Sequence, residues 1–214
     1  IKEGRNIFSN INKYIKCTLA SNFGNFYSIA AISLVIPFLP MLPVQILLVN
    51  LLSDFPLIAV ATDRVDPAEL RKPKSYQLNR MTSLIIFLAL VSTVFDFLFF
   101  GIFYKVEPSV LRTLWFIESI LTEILLIFSI RTSNIFYRAK APSFPLAALS
   151  VVTAIVTVFL PFTKLGREFF HFASPPINGL LIVIFLLLSY FVVSETVKLI
   201  YFRHWRNSNK NLTF

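Results

Sequence analysis

The chain has 214 residues, 56% of them hydrophobic with 24 Phe and only 5 Gly, and its runs of 18 or more nearly uncharged residues exclude a water-soluble globular domain. Its net charge of +9 is divided among the ends of those runs, which excludes a nucleic-acid stripe and fits a membrane protein that crosses the bilayer several times. The single cysteine, Cys17, excludes an internal disulfide and leaves the redox compartment open.

No secretory signal opens the chain, and its first residue, Ile1, is not a methionine, so it is expected to be part of a longer polypeptide. A helix is expected from near Glu3. Ile7, Phe8, Ile11, Ile15, Thr18 and Leu19 recur at helical spacing, with Lys2, Arg5, Asn12, Lys13 and Lys16 on the other side. Residues 1–16 thus read as a cytoplasmic stalk. It runs without a break into an apolar first span, 17–36, which Pro37 and Pro40 terminate.

Further spans are expected at 44–61, 81–104, 110–130, 144–160 and 177–201, giving a six-helix transmembrane domain over 17–202 and a cytoplasmic tail over 203–214. Polar connections separate them, one rich in Arg64, Arg71, Lys72, Lys74 and Arg80, another in Arg131, Arg138 and Lys140. Of the 20 basic residues, all but Lys105, Arg112, Lys164 and Arg167 fall on the stalk side. Basic residues favour the cytoplasmic face, so both ends are expected there. The fold class is an all-α membrane bundle.

Polar side chains inside these spans carry the functional signal. An Asp at mid-membrane costs about 2.5–3.5 kcal/mol, so it is expected to face a bundle interior and to act there. Ser21, Asn22 and Asn25 lie in the first span, with Gly24 beside them permitting close helix approach. Asn50, Ser53 and Asp54 share one face of the second. Pro56 removes the N–H that would bond the Leu52 carbonyl, leaving that oxygen for another partner. Taken singly, the Asn and Ser residues read equally well as hydrogen-bonding glue between helices. Together with Asp54 and the helix break they read as a cation site.

Glu118 is a further candidate ligand or proton partner, and Asp96 a buried group that locks the bundle. Glu123 lies in the same span as Glu118, and Glu195 is expected to reach the cytoplasmic interface. All the candidate donors are oxygen, which suits hard cations such as Mg²⁺, Ca²⁺, Na⁺ or K⁺ and not soft metals.

With these residues in view, nearly the whole chain resembles the C-terminal six transmembrane helices of P-type ATPases. Glu3-Gly4-Arg5 with Asn10-Ile11 and Tyr14-Ile15 looks like the stalk that follows the phosphorylation domain. Ser21-Asn22-Phe23-Gly24-Asn25 is similar to the ion motif of the family's fifth helix, and the run from Pro43 to Asp54 to that of the sixth. Asn25, the run Ile36 to Leu42, Phe95-Asp96 and Trp115-Phe116-Ile117-Glu118 resemble the bacterial magnesium-transporting branch. Ser53 resembles the calcium pumps instead, and Phe55-Pro56 departs from their Gly-containing version.

The resemblance implies the ion-translocating part of an ATP-driven pump for a divalent cation, Mg²⁺ ahead of Ca²⁺, in a prokaryotic plasma membrane. It implies metal ligation by Asn22, Asn25, Asn50, Ser53 and Asp54, with the Leu52 carbonyl and Glu118 as possible additions. The chain contains no Asp-Lys-Thr-Gly-Thr, Thr-Gly-Glu or Gly-Asp-Gly motif. ATP and its Mg²⁺ are therefore expected to act through cytoplasmic domains outside this chain, which should not hydrolyse ATP alone. The family's first four membrane helices and the lipid bilayer are the expected partners. The rival readings are a secondary cation transporter or channel, and a non-transporting membrane subunit. The first should display internal repeats, which the sequence lacks; the second has no use for two polar helix faces around a proline.

Overall fold

The computed structural model describes residues 2–66 and 78–210, and these form α-helices joined by short turns, with no strand among the described residues. Helix α1 spans Lys2–Ser33, 32 residues in one piece and roughly 48 Å long at 1.5 Å per residue. The Lys-bearing amphipathic part and the apolar part are one rod. Its regular bonding ends with Ile36 N–H on the Ile32 carbonyl at 3.0 Å, next to Pro37.

Helix α2, Pro43–Ala59, starts with proline at a position where no N–H is needed. The Gln45 side chain accepts from Leu42 N–H at 3.0 Å and donates to the Phe170 carbonyl at 2.8 Å, which pins that start to a distant connection. The other helices are α3 (Leu78–Phe103), α4 (Pro108–Ile130), α5 (Phe144–Phe159), the short α6 (Lys164–Glu168) and α7 (Ile177–Lys210). Arg71, Lys72 and Lys74 of the first basic loop lie outside the described residues. Helix α7 runs past the expected end of the last span and includes Arg203 and His204.

Among the described residues, five stretches are long and apolar enough to cross a membrane: Pro43–Thr62, Met81–Phe103, Pro108–Ile130, Phe144–Phe162 and Ile177–His204. The second half of α1 is diluted by Ser21, Asn22, Asn25 and Ser28 and is not among them. Outward-facing Leu47, Leu51, Phe55 and Ile58 on α2, and Phe87, Leu90, Val94 and Leu98 on α3, form exposed apolar stripes of the kind lipid covers.

Helix α4 is the axis of the bundle. About it pack α1, α2, α5 and α7, while α1 also lies along α3 and α2 along α5. As a result 83% of the α4 span is buried, against 28–50% of the other four. Aromatic rings fill the space between α3 and α4, with Phe100 and Trp115 centroids 4.7 Å apart, edge to face.

Gly24 sets the α1–α3 distance. A Cβ there would meet the Ser92 Cβ at 2.8 Å, closer than packed carbons tolerate. Gly24→Ala should therefore destabilise the bundle by about 1–3 kcal/mol. Thermal unfolding in detergent is the check, and Ser92→Gly on the same background should recover part of the loss.

Candidate cation site

The two polar faces expected on the first two helices meet at α4. Asn22 and Asn25 from α1, Asn50 from α2, and Trp115 and Ser119 from α4 line one cavity of about 30 Å³, walled by apolar side chains such as Ile29 and Val49. That space suits a water molecule or a small ion. Three asparagines from two helices therefore border one space.

The residue that joins those helices is Glu123 on α4. Its Oε1 accepts from Asn25 Nδ2 at 2.8 Å and from the Ser21 hydroxyl, and its carboxyl also lies near Ser53 of α2. Glu123 is 6% exposed, and its Oε2 is buried without a hydrogen-bond partner. An unsatisfied buried oxygen at the junction of two polar faces is a position from which a cation can be held. The sequence offered this acid only as one of several in the spans.

Asp54 and Asn50 are exposed on α2, although Asn50 also lines the cavity. Asp54 is close enough to act electrostatically on Glu123. Ser53 is buried, and its hydroxyl donates to the Asn50 carbonyl at 3.3 Å. The Leu52 carbonyl, released by Pro56, takes a long bond of 3.5 Å from the Thr153 hydroxyl of α5. It therefore points to the α5 side of α2, away from the asparagines.

Glu118 takes a different direction. Five residues of helix turn a side chain by about 140°, so Glu118 and Glu123 leave α4 on different sides. Glu118 faces Asp96 of α3, which also accepts from Ser28 at 2.5 Å and from Trp115 Nε1 at 2.8 Å. Glu195 does not reach out to an interface. It is 8% exposed and bonded to Lys198 at 2.7 Å, to the Ser129 hydroxyl at 2.7 Å and to Phe136 N–H at 2.8 Å. Among the described residues no three of His, Cys, Asp and Glu gather as a metal cluster.

A second polar centre lies just past the end of α2, where Asp63 is 5% exposed. Lys13 of α1 donates to its Oδ2 at 2.8 Å, and Arg131, which follows α4, donates through Nη2 to Oδ1 at 2.9 Å and through Nε to Oδ2 at 3.1 Å. Asn10 of α1 donates to the Asp63 carbonyl at 2.7 Å, and Lys13 also to the Arg64 carbonyl at 3.0 Å. Burial pushes the Asp63 carboxyl up, but hydrogen bonds from Arg131 and Lys13 outweigh it and hold the group below the usual carboxylate range. One acid thus ties α1 to the ends of α2 and α4.

Comparison with known proteins agrees with this architecture. The chain is 32% identical over 210 residues, 95% of its length, to the "Magnesium-transporting ATPase, P-type 1" of Escherichia coli (strain K12), and equally so to the protein of that name from Salmonella typhimurium (strain 14028s / SGSC 2262). It is 32% identical over 178 residues, 75% of its length, to the "Calcium-transporting ATPase" of Bacillus subtilis (strain 168). The chain spans 23% of the length of the magnesium-transporting relatives and 20% of the calcium-transporting one. The family described as "Cation transporting ATPase, C-terminus" matches residues 38–200. With its apolar helices and this match over most of its length, the chain belongs to the C-terminal integral membrane domain of the P-type cation-transporting ATPases.

Proposed function

We propose that this chain is the ion-translocating membrane part of an ATP-driven pump for a divalent cation, Mg²⁺ ahead of Ca²⁺. The observation that carries this is the cavity at which Asn22, Asn25 and Asn50 converge, with Glu123 bonded to Asn25 and Asp54 close by. Support for Mg²⁺ comes from Asn25, a neutral amide at the centre of the site, and from the names of the relatives that match most of the chain. In our assignment Asp54 and Glu123 supply charge, Asn22, Asn25 and Asn50 supply neutral oxygens, and Ser53 supports them. The Leu52 carbonyl is a ligand only after α2 turns relative to α5.

Helix α1 is the sixth span, and its Lys-bearing part is the cytoplasmic stalk, so both ends of the chain are cytoplasmic. The exposure of Asn50 and Asp54 supports a further segment against that face, since a carboxylate directed at lipid is costly. We assign that cover to other membrane helices of the same polypeptide, and ATP chemistry to its cytoplasmic domains, in a prokaryotic plasma membrane. A rod continuous from stalk to site can carry a displacement from one to the other.

The test is phosphoenzyme formation from labelled ATP by the natural full-length protein in membranes. An acid-stable, hydroxylamine-labile phosphoprotein with a level that responds to Mg²⁺ is expected, and Asp54→Asn should abolish that response while the protein still folds. A well-folded protein that never becomes labelled excludes the ATP-driven reading.

A further inference from the structure

Asp96 and Glu118 lie outside the asparagine-lined cavity and have no part in the cation assignment above. They are 3% and 1% exposed, and Trp115, three residues before Glu118 on α4, bonds Asp96 of α3 at 2.8 Å, which sets the two acids beside each other between the helices. From α1 comes Ser28, from α7 the phenol of Tyr190, itself 1% exposed and close enough to act on both acids. Neither acid is in an ion pair among the described residues. Two carboxylates side by side in such a place would be prohibitively unstable, because each charge loses water and repels the other.

The hydrogen bonds distribute the two roles unequally. Both Asp96 oxygens already accept, Oδ2 from Ser28 and Oδ1 from Trp115, so Asp96 is arranged to carry the negative charge. Glu118 accepts from neither of those donors, and its Oε2 is buried with no partner at all. A proton on Glu118, donated toward Asp96, satisfies the orphaned oxygen and removes the second charge. Such an O–H···O⁻ bond is among the stronger ones a buried pair can make.

We propose that Asp96 and Glu118 form a proton-binding site, with Glu118 holding the proton and Asp96 accepting its hydrogen bond, separate from the cation cavity. Trp115 connects the two places: its Nε1 bonds Asp96 while the residue lines the cavity beside Asn22 and Asn25. The ligand is a proton and not a metal ion: the pair has only two carboxyls and the hydroxyls of Ser28 and Tyr190 around it, both Asp96 oxygens are already taken by donors, and the roughly 6 to 8 free oxygens that a hard cation needs are not there.

Infrared spectroscopy of the natural full-length protein in lipid vesicles tests this without ATP or transport, so it stands or falls apart from the pump assignment. At neutral pH the wild type should show a protonated-carboxyl C=O band that moves on ¹³C labelling of glutamate carboxyls, is absent from Glu118→Gln, and is unchanged by Mg²⁺. A band of equal intensity in wild type and Glu118→Gln overturns the proposal. A wild-type-minus-variant band that Mg²⁺ removes makes the pair a metal site and overturns it too. Should Glu118→Gln not fold, Asp96→Asn replaces the charged acceptor and should shift the glutamate band, and an unshifted band in that variant overturns the assignment.

Discussion

Replacing Asp63 with Ala should destabilise the bundle by about 3–5 kcal/mol, the cost of leaving buried charges without their partner. Lys13 and Arg131 are 5% and 6% exposed, so neither can turn to water when the carboxylate goes. The loss differs from that of a surface ion pair, which is worth about 0–1 kcal/mol. Unfolding of the full-length protein in detergent measures it. Adding Lys13→Met to Asp63→Ala should cost less than the two single changes together, because one stranded cation is gone. An Asp63→Ala protein within about 1 kcal/mol of wild type would remove Asp63 from this role.

The same residue gives the molecule a signed pH dependence. Its carboxyl titrates lower in the folded protein than in the unfolded chain, so its contribution is complete above the unfolded value near 4. That contribution is lost as pH falls through the lower, folded value. Between pH 5 and 8 Asp63 should therefore leave the unfolding midpoint flat. Acid should destabilise the wild type more steeply than Asp63→Asn, which has already lost the ionised form.

The parts of this architecture that were legible in the sequence are those written in local pattern. Uninterrupted apolar runs marked the five helices that are long and apolar enough to cross a membrane among the described residues, and spacing of three and four placed Asn22 with Asn25 and Asn50 with Ser53 and Asp54. The structure brings Asn22, Asn25 and Asn50 to one cavity. Pro56 likewise showed that the Leu52 carbonyl would lose its helical partner. That Thr153 would approach it could not be read, because the pairing joins residues 101 apart.

Helix α4 was the hardest to orient. It is buried on nearly every side, and its polar residues, from Arg112 and Thr113 to Glu118 and Glu123, spread around most of its circumference, so no single polar face marks its direction. Glu118 was thus singled out as the mid-span acid and Glu123 was given no role, although it is Glu123 that turns to Asn25 while Glu118 turns to Asp96. Asp63 was hidden for a related reason: it sits in a connection, and its cationic partners lie 50 and 68 residues away. Charge at a helix end looked like topology, while in the fold it binds three elements together.

Glu123→Gln should weaken the apparent Mg²⁺ affinity of the full-length protein by about 100-fold, at the upper end of what losing one supporting group at a metal site costs. The choice of glutamine separates two roles. As a mere acceptor for Ser21 and Asn25, Glu123 could be replaced by an amide carbonyl with little effect on either folding or affinity. As a cation ligand it could not, because the partnerless Oε2 would become an NH₂ that repels the ion while the helices remain joined. The expected result is an unfolding midpoint near that of wild type with a cation response displaced to much higher Mg²⁺. Unchanged affinity in a stable Glu123→Gln protein would reduce Glu123 to a strut between α1 and α4. Because Asp54 acts on Glu123 electrostatically, the milder Asp54→Glu combined with Glu123→Gln should depart from the product of the separate effects. Two carboxylates that share one cation depend on it together; two that merely stand in the same bundle do not.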